Sequence, residues 1–349
     1  MEFLSDYGLF LAKAMTVLVV FVIVLALIAN SKQKGSSDKG YISVTSLNEK
    51  FESYTDTIKS AVLESHVLKL EHKLKKKRDK QQRRQEKQAE KSGTDGVRRK
   101  RVFVLNFDGD IKASAGNNLR EEITAVLGLA QAEDEVVVKL ESGGGMVHSY
   151  GLAASQLTRI KERNIPLTVC VDKVAASGGY MMACVADKII AAPFAVLGSI
   201  GVVAQLPNFH RLLKKNDIDY ELFTAGEYKR TVTMFGENTD KGREKFRDDI
   251  EKTHVLFKDF VSEHRPVVDI DKVATGEVWY GRKALEIQLI DDIKTSDGYL
   301  LDQYPDADIY AVEFTQKKSL PEKLGLAAET AVDGIATRWI EKASPKRWF

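Results

Sequence analysis

Between Gly8 and Ala29 the chain reads GLFLAKAMTVLVVFVIVLALIA, 22 residues that are apolar almost all round, with Lys13 as their one charge. As a helix this stretch would span roughly 33 Å, enough to cross a bilayer core of about 30 Å. The pattern predicts a transmembrane anchor over residues 1–30 rather than a cleaved signal. Glu2 and Asp6 stand where a leader would be basic, and no Ala-x-Ala site follows Leu27. The periodicity then changes. Leu47, Phe51, Tyr54, Ile58 and Val62, continued by Leu63, Val67, Leu70 and Leu74, recur in steps of three and four and predict an amphipathic helix over 47–74. From Lys75 to Lys91 the apolar positions give way to KKKRDKQQRRQEKQAEK, and Ser92–Gly96 breaks the helix. Residues 31–101 therefore read as a basic helical stalk.

From residue 102 strand and helix patterns alternate. Val102–Phe107, Glu135–Leu140, Leu167–Val171 and Lys188–Ala192 are short apolar strands. Asn118–Ala130, Tyr150–Ile160, Tyr180–Ala186 and Glu244–His264 are helical, the first on Leu119, Ile123, Val126 and Leu127, the second on Leu152, Leu157 and Ile160. Such alternation predicts an α/β body over 102–310, a mostly parallel sheet buried on both faces. A tail follows over 311–349.

Composition sharpens this picture. Hydrophobic residues at 44% of 349 suffice for a real core, and 29% charged residues exclude a polytopic membrane protein. Two cysteines, Cys170 and Cys184, exclude a disulfide scaffold and read as core. The net charge of +2 hides an asymmetry: residues 69–101 carry 15 Lys/Arg against 5 Asp/Glu, whereas 102–349 carry 31 against 38. The basic stretch suits anionic lipid headgroups or a solvated linker. It lacks Phe, Trp and Tyr, so base stacking is unsupported and no specific nucleic-acid partner is expected. Lys32, Lys34 and Lys39 behind the apolar run place the body in the cytoplasm by the positive-inside rule.

Ligands of open α/β sheets bind where strands end and helices begin. Three such junctions are rich in small residues: Glu141–Met146, Lys173–Tyr180 and Leu197–Val202. The glycines Gly143–Gly145 lack the lysine and spacing of a P-loop or a dinucleotide fingerprint, which leaves an oxyanion hole or a tight turn. Ser177 lies between Ala176 and Gly178, so its hydroxyl is sterically open at a helix start. It is either a nucleophile facing unpaired N–H groups or a helix N-cap. Of the six histidines His148 is the attractive base; a desolvated lysine is the other choice, and composition does not say which. The pairs Asp248-Asp249 and Asp291-Asp292 read as surface, and no His/Cys/Asp cluster has metal-ligand spacing.

Four motifs follow in order: Leu140-Glu141-Ser142-x-Gly144-Gly145, Val174-Ala175-Ala176-Ser177-Gly178-Gly179-Tyr180, Gly198-Ser199-Ile200-Gly201-Val202 and Gly226-Glu227-Tyr228-Lys229. Together they resemble peptidase family S49, the signal-peptide-peptidase family. The resemblance extends over the anchor, the basic stalk and the overall length. It implies a Clp protease/crotonase-like ββα fold and a serine endopeptidase with a Ser/Lys dyad. Ser177 would be the nucleophile, Lys229 the general base, and Ser199 the hydroxyl that supports the lysine. The N–H groups of Gly144, Gly145 and Gly178 would form the oxyanion hole.

It further implies no metal or cofactor, apolar peptide substrates such as signal-peptide remnants, and homo-oligomers whose sites lie between subunits. The implied place is the outer face of a bacterial inner membrane, against the charge rule. The segments Thr275–Gly281 and Leu289-Ile290-Asp291 match a structural signature. Two departures stand out: Gly143 replaces a proline of the family, and Gln288 replaces a glycine. Other readings of the same fold are a catalytically silent membrane scaffold and an acyl-CoA enzyme. Intact Ser177 and Lys229 argue against the first, and the second lacks an identifiable CoA site.

Overall fold

The body is organised by strands whose neighbouring residues face opposite cores. In the computed structural model, which describes residues 40–71 and 98–316 with scattered positions among 8–16 and 73–80, the strands are β1 (Gly40–Ser46), β2 (Lys100–Gly109), β3 (Glu135–Ser142), β4 (Leu167–Val171), β5 (Val174–Ala176), β6 (Lys188–Ala191), β7 (Val196–Gly198), β8 (Val278–Tyr280), β9 (Asp292–Ile293) and β10 (Ala307–Gln316). The helices are α1 (Leu47–Val62), α2 (Gly116–Leu127), α3 (Val147–Lys161), α4 (Gly178–Ala183), α5 (His210–Lys215), α6 (Asp240–His264), α7 (Ile270–Val273), α8 (Gly281–Glu286) and α9 (Ser296–Gln303). Ile42–Phe314 forms one compact unit. The anchor expected over 1–30 falls almost wholly outside the described residues. Among those described, no helix is long and apolar enough to cross a membrane.

The main path of the sheet runs β1-β10-β2-β3-β4-β6-β9. The pairs from β10 to β9 are parallel, as the alternation of strands and helices predicts. Side chains alternate between two cores, as the period of two requires. Phe103, Leu105, Phe107, Val136, Val138 and Leu140 face the larger core, closed by α2, α3 and α4. Val102, Val104, Val137, Cys170 and Ile190 face a smaller one with Tyr299, Leu300 and Ile309. Both cysteines are buried, as expected.

Some expectations shift. Helix α1 packs through Leu47 and Phe51, whose ring meets Tyr304 edge-on at 5.6 Å. Beyond that, Tyr54, Ile58 and Val62 are exposed, and the helix stops at Leu63 before helical backbone resumes over 65–71. Leu152 points to solvent; Tyr150, Ala153 and Ala154 bury α3 together with Leu157 and Ile160. The run Arg98–Arg101 is folded into the body rather than left as a free basic patch. Arg98 and Arg101 pair with Asp134 at 2.6 and 2.7 Å, Arg99 with Asp308 at 3.0 Å, and Lys100 with Glu135 at 2.5 Å. Asp291 is more than turn surface: the buried Arg265 guanidinium grips it with two bonds, and the Ile189 N–H donates to it. Strand β1 lies inside the segment read as stalk, and β10 runs past residue 310.

The feature that builds the site is a fork in the sheet. Strand β3 pairs with β4 over Val136–Lys139, and then its last residue, Ser142, pairs with Ala175 of β5. Strand β5 continues sideways to β7, which pairs antiparallel with β8. The fork opens the sheet at the C-terminal end of β3, where ligands of parallel sheets bind.

Candidate active site

Ser177 follows β5 at the fork and begins α4. Its φ of 53° and ψ of −120° are unusual for a residue with a side chain. Such strand-to-helix turns expose a nucleophile's Oγ, and the strain persists only where the surroundings enforce it. Here the Ser177 N–H donates to the Gly198 carbonyl at 2.8 Å, and its carbonyl accepts from Met181 at 3.0 Å. The side chain makes no capping bond. The N-cap role that the local sequence also allowed is therefore not the one the serine performs.

The glycines that converge on Ser177 are required by close approach. A Cβ on Gly144, whose φ is +87°, would sit 2.7 Å from the Gly178 nitrogen and from Ser177 Cβ. One on Gly145 would strike the Ile111 carbonyl, and one on Gly178 would enter the Tyr150 ring. The structure thus brings Gly144, Gly145 and Gly178 together with Ser177. Their N–H groups differ. Gly144 donates to Ser142 Oγ at 3.0 Å. Those of Gly145 and Gly178 form no hydrogen bond among the described residues.

These two glycines and Ser177 line a cavity of about 300 Å³. Its walls are apolar: Val147 from α3, Met181 from α4, Val202, and Leu256, Phe257 and Phe260 from α6. Nothing in the sequence marks the α6 wall. Its residues lie some 80 positions after Ser177, and their spacing is that of any helix packed on a core.

Ser199 stands beside Ser177 through the backbone. It follows Gly198, the acceptor of the Ser177 N–H, and its own φ is 51°. The Thr275–Gly281 signature holds this turn. Glu277 accepts from the Ser199 N–H, and Trp279 lies where a Gly198 side chain would be. Lys229 shares neither the cavity nor a bond with Ser177 among the described residues. It is exposed in an irregular part of 201–239, does not line the cavity, and its ammonium forms no bond among the described residues. His148 is exposed in the first turn of α3 and likewise does not line the cavity. Gln288 takes φ 62°, the left-handed conformation for which a glycine is suited. Among the described residues no group of His, Cys, Asp or Glu could hold a metal ion.

The family description "Peptidase family S49 N-terminal" matches residues 2–157, and "Peptidase family S49" matches 159–304. A probable protease SohB of Haemophilus influenzae is 50% identical over 345 residues, covering 98% of each chain. A probable protease SohB of Buchnera aphidicola is 47% identical over 303 residues, 86% of this chain and 99% of that one. Among solved structures, the 1510-N membrane-bound stomatin-specific protease, as a mutant in complex with a substrate peptide, covers 65% of this chain and 97% of that one. It does so with a TM-score of 0.40 and 13% identity. Matched in both halves and over nearly its whole length, the chain belongs to peptidase family S49, among the SohB-type proteases.

Proposed function

We propose that the protein is a membrane-anchored serine endopeptidase in which Ser177 attacks the peptide carbonyl and Lys229 accepts its proton. The observation that carries this reading is the surroundings of Ser177. A strained, uncapped serine opens into an apolar cavity beside two N–H donors that are free for a ligand oxygen. Those of Gly145 and Gly178 suit the oxyanion of a tetrahedral intermediate. Attack gives an acyl-enzyme, the amine leaves with the proton, and water then releases the acid.

The cavity walls favour an apolar side chain next to the cut, which fits signal-peptide remnants or other membrane-associated peptides. The apolar run at Gly8–Ala29 supports an anchor in a bacterial inner membrane. The exposed setting of Lys229 supports a homo-oligomer. Its segment also exposes Val203, Leu222, Phe223 and Tyr228, a surface that a second copy would cover. In that arrangement one protomer lends Lys229 to the Ser177 of its neighbour, and the contact dries the ammonium so that it can work as a neutral base.

Mixing two inactive variants tests both parts. Ser177→Ala and Lys229→Ala each abolish hydrolysis of an apolar fluorogenic peptide, whereas His148→Ala does not. Oligomers reassembled from the two inactive variants regain a fraction of wild-type activity, because some pairs of neighbours unite an intact serine with an intact lysine. Full activity in either single variant excludes the dyad. Silence of the mixed oligomers excludes its division between copies.

A further inference from the structure

Beneath the Ser177 junction lies a buried polar chain that the catalytic reading does not use. Tyr150 and Ser142 are 0% and 2% exposed, and their hydroxyl oxygens are 2.5 Å apart. The Tyr150 hydroxyl donates to the Asp110 carbonyl at 2.7 Å. Ser142 Oγ accepts the Gly144 N–H at 3.0 Å. Each group has one proton to give, and the short Tyr150–Asp110 contact sets the direction: Gly144 N–H to Ser142, Ser142 O–H to Tyr150, and Tyr150 O–H to the Asp110 carbonyl. The other acceptor near Ser142, the Gly109 carbonyl, is more distant at 3.4 Å.

We propose that Ser142 and Tyr150 are positioning residues that aim the two oxyanion donors. Geometry sets this aim, on the serine-peptidase reading of Ser177. The Ser142 hydroxyl occupies the Gly144 N–H, so the turn presents Gly145 toward the cavity and not Gly144. The second donor depends on the same two residues. The Tyr150 ring lies against Gly178, within 2.4 Å of where a side chain would begin. The Ser142 carbonyl stands equally close to Gly179, the next residue. One tyrosine and one serine thus touch both arms of the hole, the Gly144–Gly145 turn through hydrogen bonds and the start of α4 through packing. Buried chains of this kind hold their members in one arrangement because a lost partner leaves an unsatisfied polar group.

Kinetics of full-length protein in detergent micelles on an apolar fluorogenic peptide test this. Tyr150→Phe keeps the ring on Gly178 and removes only the hydroxyl, and Ser142→Ala removes the acceptor of the Gly144 N–H. Each lowers kcat at least tenfold with KM within twofold, because the donors act on the transition state more than on bound substrate. The double variant loses about as much as either single one, since both break one chain. The Gly144 amide also exchanges with solvent faster in both. Unchanged kcat in Tyr150→Phe, or a rise in KM alone, overturns the positioning role while leaving the dyad intact. Hydrolysis that survives Ser177→Ala overturns the dyad and this role with it.

Discussion

At the scale of single residues, the nucleophile role proposed for Ser177 sets local stability against chemistry. A serine at φ 53° carries strain of about 1–3 kcal/mol, whereas glycine takes such conformations freely at some entropic cost. Ser177→Gly is therefore expected to raise unfolding stability by about 1 kcal/mol and to abolish hydrolysis. Denaturant melts and peptide assays check both parts. Neighbouring glycines divide by the space around them. Gly144→Ala forces a methyl group against Ser177 and the Gly178 nitrogen. It should cost roughly a hundredfold in kcat, the scale of a lost oxyanion donor. Gly143 has open space and no positive φ, so Gly143→Ala should keep activity and add about 0.5 kcal/mol of stability. This bears on the proline absent at Gly143: the position is free to be stiffened, and the turn is held from beneath by Ser142.

At the scale of elements, the legible part of the sequence was the part with length and period. Strands β2, β3, β4 and β6 announce themselves as apolar runs, and α2, α3 and α6 by their 3.6 spacing. The fork was not legible, because β5, β7 and β8 have three residues each and no period forms over three positions. The apolar stripe over 47–74 predicts an amphipathic helix, and tertiary packing takes only the first turns of α1. The site divides in the same way. The small-residue junctions are visible in the sequence but leave two readings each, nucleophile or N-cap for Ser177 and oxyanion hole or tight turn for the glycines, and only the resemblance to family S49 gives Ser177, Gly145 and Gly178 a catalytic role. Tyr150 was not legible, since an aromatic in a helix reads as core, and the partner that gives it a second role, Ser142, is set by sheet pairing. Helix α4 tests the packing directly. All its residues are buried, and burial pushes the Cys184 thiol at its C-terminal end far up and Cys170 up to about 12. Neither should react with iodoacetamide in the native protein at pH 8, and both should react on unfolding.

At the scale of the whole molecule, the N-terminal edge of the sheet contributes to acid stability through Asp134. Burial alone would raise the Asp134 carboxyl, but hydrogen bonds from Arg101, the Gln131 N–H and Arg98 prevail and hold it at about 2. An unfolded aspartate titrates near 3.9, as a typical value. The folded state thus binds fewer protons between these values. The contribution is complete above about pH 4 and is lost as the pH falls through about 2. Thermal melts across pH 2–7 should show that loss. Arg101→Met should lower stability at pH 7 by about 3 kcal/mol, the scale of breaking a buried pair. Its further decline below pH 4 should be shallower than that of the wild type.

The sheet fork, the glycine junctions and the cavity all converge on the hydroxyl of Ser177. Covalent labelling with a fluorophosphonate, followed by mass-spectrometric mapping, examines that oxygen directly. A single adduct is expected on the peptide that contains Ser177, absent in Ser177→Ala and greatly slowed in Lys229→Ala. An adduct on another serine, or no adduct on protein that still cleaves its peptide, would contradict Ser177 as the nucleophile.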